Sequence, residues 1–221
     1  MDGNIENDTV MIREDDQTMM NESAKQKSKS YFDSHRKSRL ARGGYWRHDY
    51  RYQLEEIGRI MPERLIDIGC GPGAFLCQVE AAYPVIQLNA LDISPEMVQE
   101  TRERLSDTAI ATVGDSEHMP LESALYQVVT CNMSIHHYPH PQDALNEMHR
   151  ILKPGGVLLL NDMDCAAPIR AVANWLFPLF PGGDVKMYNQ KEIEEMVRRA
   201  GFRNIRYRKI SPFSFQCVAW K

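Results

Sequence analysis

Asp67-Ile68-Gly69-Cys70-Gly71-Pro72-Gly73 constrains this chain more than any other segment. A short apolar run, Arg64 to Gly69, reads as a strand and ends in this glycine loop, which precedes Ala74–Tyr83, read as a helix. Glycines at such a junction remove Cβ atoms, so the backbone can turn sharply and a ligand can lie against it. A strand that passes through a glycine loop into a helix is the opening unit of a parallel sheet. In such sheets the ligand crevice lies at the carboxyl ends of the strands.

The rest of the chain repeats that alternation. Val85–Asp92 reads as a second strand. Ser94-Pro95 opens a helix, because serine caps free N–H groups and proline suits the first helical position. Ala109–Asp115 and Gln127–Met133 read as further strands, and Asp143–Leu152 as a helix stopped by Pro154-Gly155-Gly156 before the strand Val157–Asp162. Asn189 with Glu192 forms a capping-box signature, and Gly201 ends the helix it opens. Two last strand-like runs, from Phe202 and from Phe213, are separated only by Ser211-Pro212, too short a link for a parallel crossover, so they pair antiparallel. The expected fold is α/β: a mostly parallel sheet with helices on both faces.

Composition narrows the class. Lys plus Arg is 26 and Asp plus Glu is 30, giving a net charge of −4, which is not the footprint of a nucleic-acid-binding domain. The most apolar stretch, Ala171–Phe180, is too short for a membrane span and contains Pro178. The five cysteines include no CxxC pair and form neither a disulfide framework nor a zinc site, which fits a cytoplasmic protein. Residues 1–22 carry seven acidic residues and one arginine without apolar periodicity and read as a disordered acidic tail.

The glycine spacing separates two ligand classes. A dinucleotide site uses GxGxxG with a helix N-terminus facing the pyrophosphate. Here the spacing is GxGxG and Asp67 stands beside it. A carboxylate there repels pyrophosphate and attracts an ammonium group. Asp92, 19 residues after Gly73, ends the second strand, where a carboxylate can accept both hydroxyls of a ribose. The pattern suits a nucleoside with an amino-acid tail. Taken alone, Asp92 could equally cap the following helix, and the glycines could form only a tight turn.

These residues together resemble the class I S-adenosylmethionine-dependent methyltransferases, over roughly residues 45–220. Asp67–Gly73 resembles their first motif, with Asp67, Gly69, Cys70, Gly71 and Gly73 at the cofactor; Asp92 resembles their ribose-binding acidic residue, with Ile93 beside it also at the cofactor. Gly114-Asp115-Ser116 resembles the adenine-contacting segment. Asn132-Met133, running on to His137, resembles the segment that passes the methionine part of the cofactor. Leu152–Gly156 resembles the turn before strand five. The resemblance extends to the ubiquinone and menaquinone methylating enzymes. It implies a Rossmann-like seven-stranded sheet with the last strand antiparallel, S-adenosylmethionine as cofactor, S-adenosylhomocysteine as product, and a small organic acceptor methylated at O, N or C. An NAD-type oxidoreductase, an RNA methyltransferase and a non-catalytic cofactor-binding protein are the rival readings.

Methyl transfer needs alignment above all, and a base only where the acceptor must lose a proton. His136 and His137 are the candidates for catalysis; the alternative is that they hydrogen-bond a loop or the cofactor. Asn161, Asp162 and Asp164 could ligate Mg²⁺ but lack a second acidic cluster, and no metal is expected. Residues 165–188 form an apolar insert whose Trp175, with its neighbours, could roof an acceptor pocket, bury in the core or make a homodimer contact. Residues 25–51 hold nine Lys or Arg interleaved with aromatics. We read residues 23–61 as a helical lid hinged at Gly43-Gly44, with Tyr31, Tyr45 and Trp46 as candidate substrate contacts; the alternatives are a solvated helical face and an RNA-binding surface.

Overall fold

In the computed structural model, the structure describes residues 23–34 and 50–221. Residues 1–22, Gly43-Gly44, Tyr45 and Trp46 lie outside these. Residues 23–34 form helix α1. The remaining elements are α2 (Arg51–Ile60), β1 (Arg64–Ile68), α3 (Ala74–Ala82), β2 (Gln87–Asp92), α4 (Pro95–Arg104), β3 (Ile110–Val113), β4 (Tyr126–Asn132), α5 (Pro141–Ile151), β5 (Leu152–Met163), α6 (Ala167–Leu176), α7 (Gln190–Arg199), β6 (Arg203–Ser211) and β7 (Ser214–Trp220).

The seven strands form one sheet in the order β3-β2-β1-β4-β5-β7-β6. β1 to β5 run parallel, and β7 pairs antiparallel with both β5 and β6. The expected architecture, including the antiparallel last strand, is therefore present. The strand order reverses between β1 and β4, which opens the crevice at their carboxyl ends.

The inner strands are apolar at nearly every position because both faces are covered. Leu65, Val128, Val157 and Leu159 point to one layer with Ile57 of α2, Phe75 and Leu76 of α3, and Val98 of α4. Ile66, Ile68, Val129, Leu158 and Leu160 point to the other, with Leu145 and Met148 of α5 and Ile193 and Val197 of α7. Each such side chain contributes about 1.5–3 kcal/mol relative to exposure.

The helix signals act as their chemistry requires. Ser94 Oγ accepts from Met97 N at 3.1 Å, with Pro95 in the first turn. Asn189 and Glu192 make both bonds of the capping box. α5 begins at Pro141 rather than Asp143, because proline at the first helical position fits its missing N–H. It ends at Ile151, and Leu152 already pairs with Tyr126 of β4, so Pro154-Gly155-Gly156 lies within the edge of a strand rather than directly behind a helix.

Candidate functional site

One cavity of about 380 Å³ lies across the carboxyl ends of β1, β2, β4 and β5. That is within the usual range of small-molecule sites. Its two ends differ in chemistry.

At one end stands the glycine loop. Gly69 has φ +71° and Gly71 φ +52°, a region that favours glycine. A Cβ at Gly69 would meet Ser134 Oγ at 1.9 Å, whereas one at Gly71 would point into open space. Gly69 N and Cys70 N both donate to Leu91 O, tying the loop to β2. Asp67 is buried, and its Oδ1 accepts from Thr130 Oγ1 at 2.6 Å and Asn132 Nδ2 at 3.0 Å. Burial, reinforced by the nearby Asp92, pushes its carboxyl up to about 7. Asp92 is buried too; it accepts from Gly71 N at 2.8 Å and Ser94 N at 2.9 Å. Burial pushes it up to about 6. Asp92 is therefore not the cap of α4, which is Ser94; it holds the backbone of that cap residue and of the glycine loop together. Two buried carboxylates supported only by neutral donors favour a ligand that brings positive charge. This donor set, beside a loop stripped of side chains, fits S-adenosylmethionine and does not fit a pyrophosphate.

Cys70, Ile93, Ser116, Asn132 and Met133 line the same cavity. Asn132 is fixed from both sides: its Oδ1 accepts from Gln53 Nε2 of α2, and its Nδ2 serves Asp67. Asp115 also lines the cavity, but its Oδ2 accepts from Lys25 Nζ of α1 at 2.8 Å. Lys25 lies 2.5 Å from Glu117 as well. Burial opposes the charge on Lys25, but the hydrogen bonds to Asp115 and Glu117 outweigh it and raise the ammonium above its ordinary value. Gly73 does not line the cavity. It stands behind the loop at the start of α3, where a Cβ would meet Thr101 at 3.0 Å, so its part is packing.

The other end is built from residues far apart in sequence. After β4 the chain makes a short 3-10 turn, Ile135–His137. His136 is buried, and its Nδ1 lies 2.6 Å from Asp162 Oδ1 at the end of β5. Burial alone would lower the imidazole, but Asp162, and further off Asp184, hold it above its ordinary value. Asp184 Oδ1 lies 3.5 Å from His136 Nε2 and 3.6 Å from His137 Nδ1. The loop carrying Asp184 is clamped to the histidine turn, since Val185 N and Lys186 N both donate to His136 O.

The aromatic wall comes from Tyr31 and Phe32 of α1, with Tyr50 and Phe75. Phe32 meets the His137 ring edge-on at 5.4 Å between centroids. Tyr31 is thus the one lid candidate within the described residues, and it faces the cavity. Trp175 does not: it is 75% exposed on α6, which buries none of its residues. Of the apolar residues in the 171–180 run, Phe177 is the one that buries, against Cys165 and Met187. The oxygen cluster at the end of β5 disperses, with Asp162 turned to His136 and Asp164 engaged by Arg170, Lys209 and Tyr207.

Sequence reasoning missed Lys25, Phe32, Tyr50 and Asp184. The Gly182-Gly183 pair before Asp184 was the only local signal for that carboxylate, because glycines let a neighbour approach closely. A Cβ at Gly183 would lie 2.7 Å from Ser28 N of α1.

Known proteins resemble this chain in sequence and in fold. A 2-methyl-6-phytyl-1,4-hydroquinone methyltransferase of Oryza sativa subsp. japonica is 24% identical over 172 residues, covering 76% of this chain and 50% of its own length. The chain therefore spans about half of that relative. A ubiquinone/menaquinone biosynthesis C-methyltransferase UbiE of Roseobacter denitrificans is 29% identical over 188 residues, covering 72% of this chain and 74% of the relative. Among solved structures, phosphoethanolamine N-methyltransferase 2 of Haemonchus contortus in complex with S-adenosyl-L-methionine superposes with a TM-score of 0.63 at 16% identity, covering 77% of this chain and 52% of that one, a likeness of fold. The family model of the methyltransferase domain matches residues 33–207, most of the chain. The chain belongs to that family, the class I S-adenosylmethionine-dependent methyltransferases.

Proposed function

We propose that the chain transfers a methyl group from S-adenosylmethionine to a small organic acceptor, and that the acceptor is a hydroxylated aromatic ring. The observation that carries the first part is the pair of buried carboxylates, Asp67 and Asp92, flanking a side-chain-free loop at the point where the strand order reverses. Bound there, the cofactor supplies an electrophilic methyl group on a sulfonium. Asp67 and Asn132 take its amino-acid end. Asp92 and Ile93 take the ribose, and Asp115 and Ser116 the adenine. Gly69, Cys70, Gly71 and Met133 form the surface against which it lies.

At the far end, His136, His137 and Asp184 set the position of the acceptor's reactive atom. Asp162 holds the His136 ring, so the Nε2 edge faces Asp184 and the cavity. Tyr31 and Phe32 supply apolar walls suited to a flat ring, and the named substrates of the quinone-methylating relatives support that class. α1 acts as a lid, excluding water so that the contacts around the reacting atoms strengthen. Tyr45 and Trp46 remain candidate acceptor contacts in the stretch outside the described residues.

No helix among the described residues is long and apolar enough to cross a membrane. The five cysteines are free, which supports the reducing cytoplasm as the setting. Calorimetry with S-adenosylhomocysteine and NADH, followed by assays with labelled S-adenosylmethionine on hydroquinones, catechols and amines, tests the reading. Tight binding of NADH, or turnover only with amines, would refute it.

A further inference from the structure

We propose that His136, His137 and Asp184 form a binding site for a first-row divalent metal ion, with Asp162 as a positioning residue behind His136. The inference rests on reading this end of the cavity as the acceptor end.

The three donors come from a turn after β4 and a loop 48 residues further on, yet they converge. His136 Nε2, His137 Nδ1 and an Asp184 oxygen all lie within 4.8 Å of one another. The two nitrogen-to-oxygen separations, 3.5 and 3.6 Å, are too long for good hydrogen bonds. They match the spacing of neighbouring ligands around a tetrahedral ion, about 3.4 Å for bonds of about 2.1 Å.

The donors are also supported as ligands usually are. Asp162 engages His136 Nδ1 at 2.6 Å, which fixes the ring and leaves Nε2 aimed at Asp184. A carboxylate behind a ligating histidine is the common second support of metal sites. The backbone of Val185 and Lys186 pins the Asp184 loop to His136 O. In charge, Asp162 and Asp184 offset a doubly positive ion. Two imidazoles with one carboxylate select zinc, iron or cobalt over magnesium or calcium, which prefer all-oxygen donors. All three residues line the cavity, so the ion's remaining positions would face an acceptor oxygen.

The test uses the full chain, freed of any affinity tag and stripped with a chelator. Zn²⁺ is titrated by calorimetry and Co²⁺ by its visible absorption. S-adenosylhomocysteine binding is measured on the same samples. Expected are saturable binding of both ions, a loss of about tenfold or more in affinity for Asp184→Asn and for His137→Gln, and a loss of about 10–100-fold with altered cobalt bands for Asp162→Asn. Metal affinity unchanged in all three variants, or absent in wild type that still binds S-adenosylhomocysteine, overturns the metal site and leaves the cofactor reading standing. Wild type that does not bind S-adenosylhomocysteine overturns the underlying reading, and the metal site with it.

Discussion

The two ends of the cavity are built in opposite ways. The glycine-loop end, proposed as the cofactor end, is local: Asp67, Gly69 and Gly71 lie within five residues, and Asp92 sits on the adjacent strand. The histidine end, proposed as the acceptor end, is assembled: His136, Asp162 and Asp184 come from three segments, the turn after β4, the end of β5 and the loop after α6. A local site is specified by what the backbone must do. An assembled one is specified by what the tertiary fold brings together. The first should therefore be brittle to backbone change, and the second should tolerate changes that spare its few supports.

The sharpest way to break that contrast is Gly69→Ala. Alanine at φ +71° costs about 1–2 kcal/mol. The overlap with Ser134 Oγ adds about 1–3 kcal/mol of overpacking and disturbs the bond from Ser134 Oγ to Tyr138. We expect a lower melting temperature and loss of measurable S-adenosylhomocysteine binding. Gly71→Ala, at φ +52°, carries the same cost of about 1–2 kcal/mol, but its Cβ points into open space and adds no overlap, so it should weaken binding with a smaller loss of stability. Equal melting temperatures for the two variants would show that the loop is not held as rigidly as described.

The carboxylates give the next largest effect, and its sign follows from their titration. Asp67 has an ordinary value of 3.8 and is pushed up to about 7 in the fold. Between those values the folded chain keeps a proton that the unfolded chain has lost. Stability without ligand therefore falls as pH rises through this window. A bound ammonium favours the charged form, so S-adenosylhomocysteine should bind more tightly at pH 8 than at pH 6. Asp67→Asn should raise the ligand-free melting temperature at pH 8, weaken binding by about 10–100-fold, and flatten the pH dependence. Binding that is pH-independent in wild type would remove Asp67 from the ammonium site.

The same contrast explains what the sequence could disclose. The alternation of strands and helices, the antiparallel pairing of β6 and β7 and the caps at Ser94 and Asn189 follow from period, turn chemistry and short links, all of which are local. The glycine-loop end was legible for that reason in so far as Asp67, Gly69, Gly71 and Asp92 meet at one cavity, while Gly73 packs against Thr101 behind it. His136 and His137 were visible as a pair. Their partner Asp184 was not, because the only local mark of that carboxylate, brought in from 48 residues away, is the Gly182-Gly183 pair before it, and a glycine pair alone does not say which neighbour it admits. Lys25 was hidden among other basic residues, since a charge run does not reveal which member will find Asp115 and Glu117.

Lys25→Met probes whether α1 belongs to the cofactor end as a lid. The ion pairs with Asp115 and Glu117 tie α1 to the loop after β3. Losing them should raise hydrogen exchange in residues 23–34 and weaken S-adenosylhomocysteine binding several-fold, while exchange in the Asp67–Gly73 loop with ligand bound stays slow. Exchange in residues 23–34 that does not respond to ligand in wild type would reduce α1 to a static helical extension.

The smallest effect is expected at Trp175, and there the comparison is tested from outside the cavity. An indole that is 75% exposed has already failed to exclude most of its surface from water, so Trp175→Ser removes little burial. Surface substitutions of this kind usually change stability by about 0.5 kcal/mol or less. The insert keeps its place by other means: Phe177 buries against Cys165 and Met187, and Asn174 bonds both N and O of Met187 at 2.8 and 3.0 Å. Those bonds hold the chain just beyond Asp184, so the acceptor end should be undisturbed by the loss of the indole. We expect wild-type melting temperature, cofactor affinity and acceptor KM in Trp175→Ser. A raised acceptor KM with unchanged cofactor affinity would mean that α6 turns its exposed face onto the acceptor during turnover. The assembled end of the cavity would then extend beyond the residues that line it here.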